Sequence, residues 1–140
     1  MASPVYGKQF IRFAESGQAP ATAIGQFLLV TISGATNPPT AAVMAAAGEA
    51  WGVIQQQFNA ADTGFATDLN RQATIATSGL LLVAAAGANM QAVGDALKVD
   101  AAGKSSAAGG AGAVTVNGTT PIVRQLVQVG GENFVLVSFT

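Results

Sequence analysis

The sequence predicts a mainly β protein: a compact single-domain barrel or sandwich of short strands, with an extended N-terminal arm and at most one or two short helices. Short apolar or alternating segments are separated by glycine-rich turns at intervals of about 8–12 residues, which is typical of such folds. The chain has 140 residues, enough for one domain with a real core. It has no cysteine, so this core must hold without disulfides.

The first 22 residues are expected to form the extended arm, and residues 23–140 the β domain. Three aromatic residues lie here among charged ones, and glycines and prolines interrupt any helix. Two interpretations stay open: a partly ordered terminus, or an arm that docks its aromatic side chains onto a partner. The candidate partner contacts in this arm are Tyr6, Phe10, Arg12 and Phe13.

The first half of the β domain contains two predicted strands. Residues 23–33 form a strand by composition, because their large and β-branched side chains favour a pleated sheet. Residues 41–50 are ambiguous, since alanine favours a helix while Gly48 interrupts it. Residues 51–54 read as a second strand.

The middle of the chain predicts three more strands and one loop. Residues 72–77 alternate small polar and apolar side chains, Ser78–Gly79 suggests a turn, and residues 80–86 resemble a buried strand. Residues 95–99 predict a short strand. Residues 101–113 contain only small residues and one lysine, so they are expected to form a flexible Ala/Gly loop, or a loop ordered only by a neighbour.

The C-terminal region carries the clearest β signals. A short strand at 114–116 is followed by Asn117–Gly118, a strong hairpin signal. Residues 122–129 fit either a strand or a short helix, and Gly130–Gly131 predicts a turn. Residues 133–140 are the clearest strand, in which Phe134, Leu136 and Ser138 alternate with Val135, Val137 and Phe139.

The composition argues against catalysis. The chain has no histidine and no cysteine, six Lys or Arg and seven Asp or Glu, so few groups could serve as an activated nucleophile, acid, base or metal ligand. We therefore expect no enzyme activity, no metal and no cofactor. The net charge of -1 argues against nucleic acid as a partner, and no apolar run reaches the ~18 residues of a membrane span.

Specific motifs fail on spacing. Residues 102–105 end like a phosphate-binding loop, but the glycine that should stand five positions before Gly103 is Lys98. The acidic residues lack the alternating spacing of a calcium loop. A single tryptophan such as Trp51 lies in a core more often than in a binding site. The composition therefore indicates an interaction or structural protein within an assembly.

The order of segments after Trp51 resembles the capsid decoration, or head cement, proteins of tailed bacteriophages. That family has a stretch of the form G-D-x-L-x-x-D-x-x-G before an Ala/Gly-rich loop. The matching residues are Gly94, Asp95, Leu97, Asp100 and Gly103. Arg124 and Leu126 match a second family segment, although Gln125 replaces a small residue. The resemblance covers roughly residues 50–140.

The resemblance implies a structural virion protein, made in the cytoplasm of a bacterial host, that binds the outer surface of the expanded phage capsid. It would stabilise contacts between subunits of the major capsid protein, as a homotrimer, without nucleic acid or membrane. Trp51 and Arg124 are the candidate subunit contacts. The alternative is a fibre or adhesin head module that binds a surface receptor or glycan.

Overall fold

The computed structural model describes residues 9–34, 36–60, 71–107 and 113–139. These residues form one compact, mainly β domain without any α-helix, which confirms the predicted fold class. The strands are β1 (Phe10–Gln18), β2 (Leu29–Ser33), β3 (Thr40–Val43), β4 (Gly48–Glu49), β5 (Gly52–Ile54), β6 (Gln72–Ala84), β7 (Val114–Thr115), β8 (Ile122–Val129) and β9 (Glu132–Phe139).

Seven strands form one sheet in the order β1-β3-β2-β5-β6-β9-β8. Strand β1 also pairs with β6, so β1, β3, β2, β5 and β6 close into a ring, from which β9 and β8 extend as an open sheet. Strands β4 and β7 form a separate parallel pair. Closing the ring leaves few strand edges open to other chains.

Strands β5 and β6 separate two apolar cores. Successive side chains of a strand point to opposite faces. Ile54 and Ile75 therefore contribute to the core inside the ring, whereas Val53 and Ala76 contribute to the larger core under β9 and β8. All four side chains are fully buried.

Two predictions about the middle of the chain were wrong. Ser78–Gly79 is not a turn, because both residues lie within the continuous 13-residue strand β6. The segment 95–99 makes only isolated bridges at Ala96, Lys98 and Val99 rather than a strand. The ambiguous segment 41–50 forms strand, not helix, at β3 and β4.

The C-terminal predictions are confirmed. Asn117 and Gly118 have φ values of 52° and 76°, the pair of positive values that a type I′ hairpin turn requires. Gly130 and Gly131, at 58° and 84°, make the same kind of connection between β8 and β9. Residues 122–129 form a strand, and β9 covers the alternating segment at the C-terminus.

The structure places β1 within the first 22 residues and pairs it along its length with β6. It also describes residues 101–107 of the Ala/Gly segment. There, Ser105 and Ser106 are buried, and the Ser105 hydroxyl donates to Gln91 Oε1 at 2.9 Å. Residues 108–112 lie outside the described residues.

Candidate functional site

Strand β1 carries an unusual concentration of exposed apolar side chains. Phe10 is 66% exposed, Phe13 62% and Ile11 40%, and Leu80 of the neighbouring strand β6 is also exposed. We call Phe10, Ile11, Arg12, Phe13 and Leu80 the β1 surface. Single exposed apolar residues need no explanation, but a cluster on adjacent strands is typical of an interaction site.

The register of the sheet extends this surface across four strands. Phe10 lies opposite Leu80, Leu80 opposite Ser138, and Ser138 opposite Ile122. Residues directly opposite each other point to the same face, and strands are about 4.8 Å apart, so the row spans roughly 14 Å. It begins with the exposed Phe10 and ends at the half-buried Ile122.

The pairing of β1 with β6 is irregular at this surface. Arg12 has no partner residue on β6, and Thr77 has none on β1. Each strand thus carries one extra residue, and the two shifts cancel, so the register is the same on both sides of the irregularity. The Thr77 hydroxyl donates to the carbonyl oxygen of Phe13 at 3.4 Å. Such bulges reorient side chains and occur frequently at binding sites.

Arg12 supplies the positive charge of the β1 surface. Its guanidinium carbon lies 5.6 Å from the centre of the Phe13 ring, within the range of a cation–π interaction. Among the described residues, Arg12 forms no ion pair with a carboxylate. The surface therefore offers two aromatic rings and a guanidinium that remains able to bind an acidic group.

Trp51 anchors the C-terminal end of β1. Its indole Nε1 donates to Glu15 Oε2 at 2.6 Å, and its ring packs so closely on Gly17 that a Cβ there would overlap it. Trp51 is half-buried, at the margin of the core inside the ring. It fixes one end of β1 while the aromatic end stays exposed.

Arg124 lies on a different part of the molecule. It is an exposed residue at a bulge of β8, the outermost strand of the sheet, where the register with β9 shifts between Val123 and Gln125. Leu126, two residues further on, is 44% exposed. Arg124 and Leu126 are therefore accessible along β8, which lies at the opposite end of the strand order from β1.

The structure thus brings together three of the four arm candidates, Phe10, Arg12 and Phe13, while Tyr6 lies outside the described residues. Of the subunit-contact candidates, Trp51 lies beside β1 and Arg124 on β8. Sequence reasoning missed Leu80, which was assigned to a buried strand. The apolar character of Leu80 gave no signal that its side chain is exposed. Its exposure depends on how β6 pairs with its neighbours β1 and β9, and these are distant in the sequence.

A surface groove with a volume of about 590 Å³ lies between the turn before β2 and the β8–β9 hairpin. Its floor includes Phe27 and Phe134, whose rings meet edge to face with centroids 5.8 Å apart. Lys104 and Glu132 also line it. The lining of the groove mixes apolar and polar groups.

The described part of the chain contains no helix with the length and apolar character that a membrane span requires. Within the same residues, no three acidic side chains converge as a metal site would need.

The fold is similar to that of a known phage protein. The structure matches the N base of head fiber gp8.5 of bacteriophage phi29 with a TM-score of 0.55 and 16% sequence identity, over 91% of this chain and 95% of that chain. At this identity the likeness shows a shared fold. No protein-family model and no curated protein matches the sequence.

Proposed function

We propose that the protein is a non-enzymatic structural component of a tailed-phage virion that binds the outer surface of the capsid. The observation that carries this proposal is the likeness to the head-fiber base, which extends over nearly all of both chains. The likeness in fold therefore extends over nearly the whole domain and is not confined to one common motif. The segment pattern that resembles decoration proteins supports the same role independently.

The finer proposal is that the protein stabilises contacts between subunits of the major capsid protein, as a homotrimer. The β1 surface would make the capsid contact. Phe10 and Phe13 are exposed aromatic side chains, a type of residue that is enriched at protein interfaces. Burying this apolar area would contribute roughly 25 cal/mol per Å² before association costs.

Binding to purified heads tests the proposal. We expect the protein to co-sediment with expanded heads but not with unexpanded ones, and to raise the temperature at which expanded heads break open. Phe10→Ala should weaken head binding by about 30-fold or more, because truncating a central aromatic anchor typically costs about 2 kcal/mol or more.

The matched control is Val93→Ala. Val93 is 61% exposed, close to the value for Phe10, but lies outside the β1 surface. This variant should bind heads as the wild type does. Failure of the wild type to bind either head form would overturn the capsid role, whereas equal binding by both variants would overturn only the assignment of the contact.

The groove favours a second candidate function, that of a fibre or adhesin module binding a receptor or glycan. Its volume is within the range of small-ligand sites, about 300–1,000 Å³. A glycan array with the wild-type protein would test this function. Binding that Lys104→Ala removes, together with no affinity for heads, would favour it over the capsid role.

A further inference from the structure

Two strands of the sheet have long edges that no other described backbone segment pairs with. Along β1, backbone pairing on the side away from β6 begins only at Gln18, whose amide donates to the Pro39 carbonyl at 2.9 Å. Phe10–Glu15 therefore has no backbone partner on that side among the described residues. An open edge that also carries exposed aromatic side chains favours pairing with another chain.

The other open edge belongs to β8. The loop before it covers only its beginning, where the Gly94 amide donates to the Val123 carbonyl at 2.8 Å and the Val123 amide to the Asp95 carbonyl at 2.9 Å. From Arg124 to Val129, the outer side of β8 has no backbone pairing with any other part of the described chain.

We infer that these two edges pair with each other between copies: Phe10–Glu15 of one chain lies antiparallel to Arg124–Val129 of a second copy. Both segments are six residues long. In the register that aligns their ends, Glu15 lies opposite Arg124, Phe13 opposite Leu126 and Phe10 opposite Val129. Opposite charges then meet at one end, and the pairs Phe13–Leu126 and Phe10–Val129 are apolar, which are the kinds of cross-strand pair that stabilise sheets. The three remaining pairs each set a polar side chain opposite an apolar one: Ala14 with Gln125, Arg12 with Val127 and Ile11 with Gln128.

The antiparallel direction of the two strands follows from which part of each edge has no backbone partner among the described residues. A parallel arrangement with Glu15 opposite Arg124 would place β1 along residues before Arg124, where the loop at Gly94 and Asp95 already occupies the edge. The antiparallel arrangement uses only free backbone on both strands.

The charges are available for this contact. Glu15 Oε2 accepts from Trp51, which leaves Oε1 without a partner among the described residues. Arg124 is exposed and forms no ion pair within the same part of the chain. The indole of Trp51 holds the Glu15 carboxylate in place, so less side-chain freedom is lost when an arginine binds it.

Such pairing is head-to-tail, because different edges of the two copies meet, and a head-to-tail contact either closes into a ring or continues as a filament. The inference does not rest on the proposed capsid role. Backbone pairing lies in the plane of the sheet, whereas side chains stand perpendicular to it. One face of β1 therefore remains accessible while its edge is paired.

Charge-reversed variants of the full-length chain test the pairing in the absence of phage heads. The measurement is the mass in solution of the wild type and of each variant. We expect the wild type to form a discrete oligomer, and Glu15→Arg or Arg124→Glu to weaken association at least about tenfold, because like charges would then face each other. The double variant Glu15→Arg/Arg124→Glu should restore association. Glu15→Gln removes the negative charge, but its amide oxygen can still accept from the Trp51 indole. This variant therefore separates the effect of the charge from the effect of losing the internal hydrogen bond.

Cross-linking tests the register independently. The chain has no cysteine, and residues opposite each other in a sheet have Cα atoms about 4.5–5.5 Å apart, within disulfide range. A mixture of Phe13→Cys and Leu126→Cys proteins should form mixed dimers under oxidation. Mixing Ile32→Cys, which is 55% exposed on β2, with Leu126→Cys should not.

Three results would overturn the inference. The first is a wild type that is monomeric at every concentration. The second is an oligomer that neither single charge reversal weakens. The third is efficient self-cross-linking of Phe13→Cys without cross-linking to Leu126→Cys, because that would indicate a two-fold pairing of β1 with β1.

Discussion

At the residue scale, Glu49 illustrates how one carboxylate holds a turn. The Thr115 hydroxyl donates to Oε1 at 2.8 Å, the Asn117 amide to Oε2 at 2.8 Å, and the Gly118 amide to Oε1 at 3.4 Å. These hydrogen bonds, the one from Thr115 foremost, hold the pKa of Glu49 below its usual 4.5 and outweigh the opposing effect of desolvation. The ionised side chain thereby ties the Asn117–Gly118 turn to β4.

The lowered pKa predicts a pH-dependent contribution to stability. Because the folded pKa lies below the unfolded one, the contribution is complete above about pH 4.5 and is lost as the pH falls through the folded pKa. The wild type should be more stable than Glu49→Gln at neutral pH, and the difference should shrink below pH 4.5. Urea unfolding of both proteins across this range measures it. A difference independent of pH would contradict the assignment.

At the scale of the strand, Gly79 determines how closely β1 approaches β6. Its φ of 123° is unfavourable for any other residue, and a Cβ there would overlap the carbonyl oxygen of Phe10 and lie 2.8 Å from the amide nitrogen of Arg12. The same glycine made residues 78–79 resemble a turn in the sequence. Local composition identifies a special backbone position, but it cannot tell a turn from a close strand contact.

We predict that Gly79→Ala lowers the free energy of unfolding by about 2 kcal/mol or more, because the clash and the backbone strain add. Gly94→Ala is the matched control, since Gly94 also has a positive φ, 93°, but open space around it. Urea unfolding compares the two, and hydrogen exchange should show faster opening of β1 in Gly79→Ala only. Equal losses in both variants would mean that contact with β1 is unimportant.

At the scale of the whole molecule, the sequence predicted individual strands and turns better than it predicted which strands pair with each other. The alternation in β9 and the two-residue turns at 117–118 and 130–131 are local signals, and each was confirmed. The closure of the ring joins β1 to β6, more than 50 residues away, through backbone pairs such as Phe10 with Leu80. Nothing local encodes that distant pairing. The exposure of Leu80 therefore could not be predicted, whereas the aromatic residues of β1 could be singled out.

Self-association and head binding together predict an effect of avidity. If copies are joined through β1 and β8, each oligomer presents several β1 surfaces, and linked sites can bind about 10²–10⁴ times more tightly than one. Arg124→Glu, which leaves the β1 surface unchanged, should therefore weaken head binding in proportion to its loss of association. Glu15→Arg/Arg124→Glu should restore both. Sedimentation with expanded heads, at protein concentrations where the mass of each variant is known, measures this effect. Full head binding by a monomeric Arg124→Glu protein would show that one β1 surface is sufficient and that pairing between copies serves another purpose.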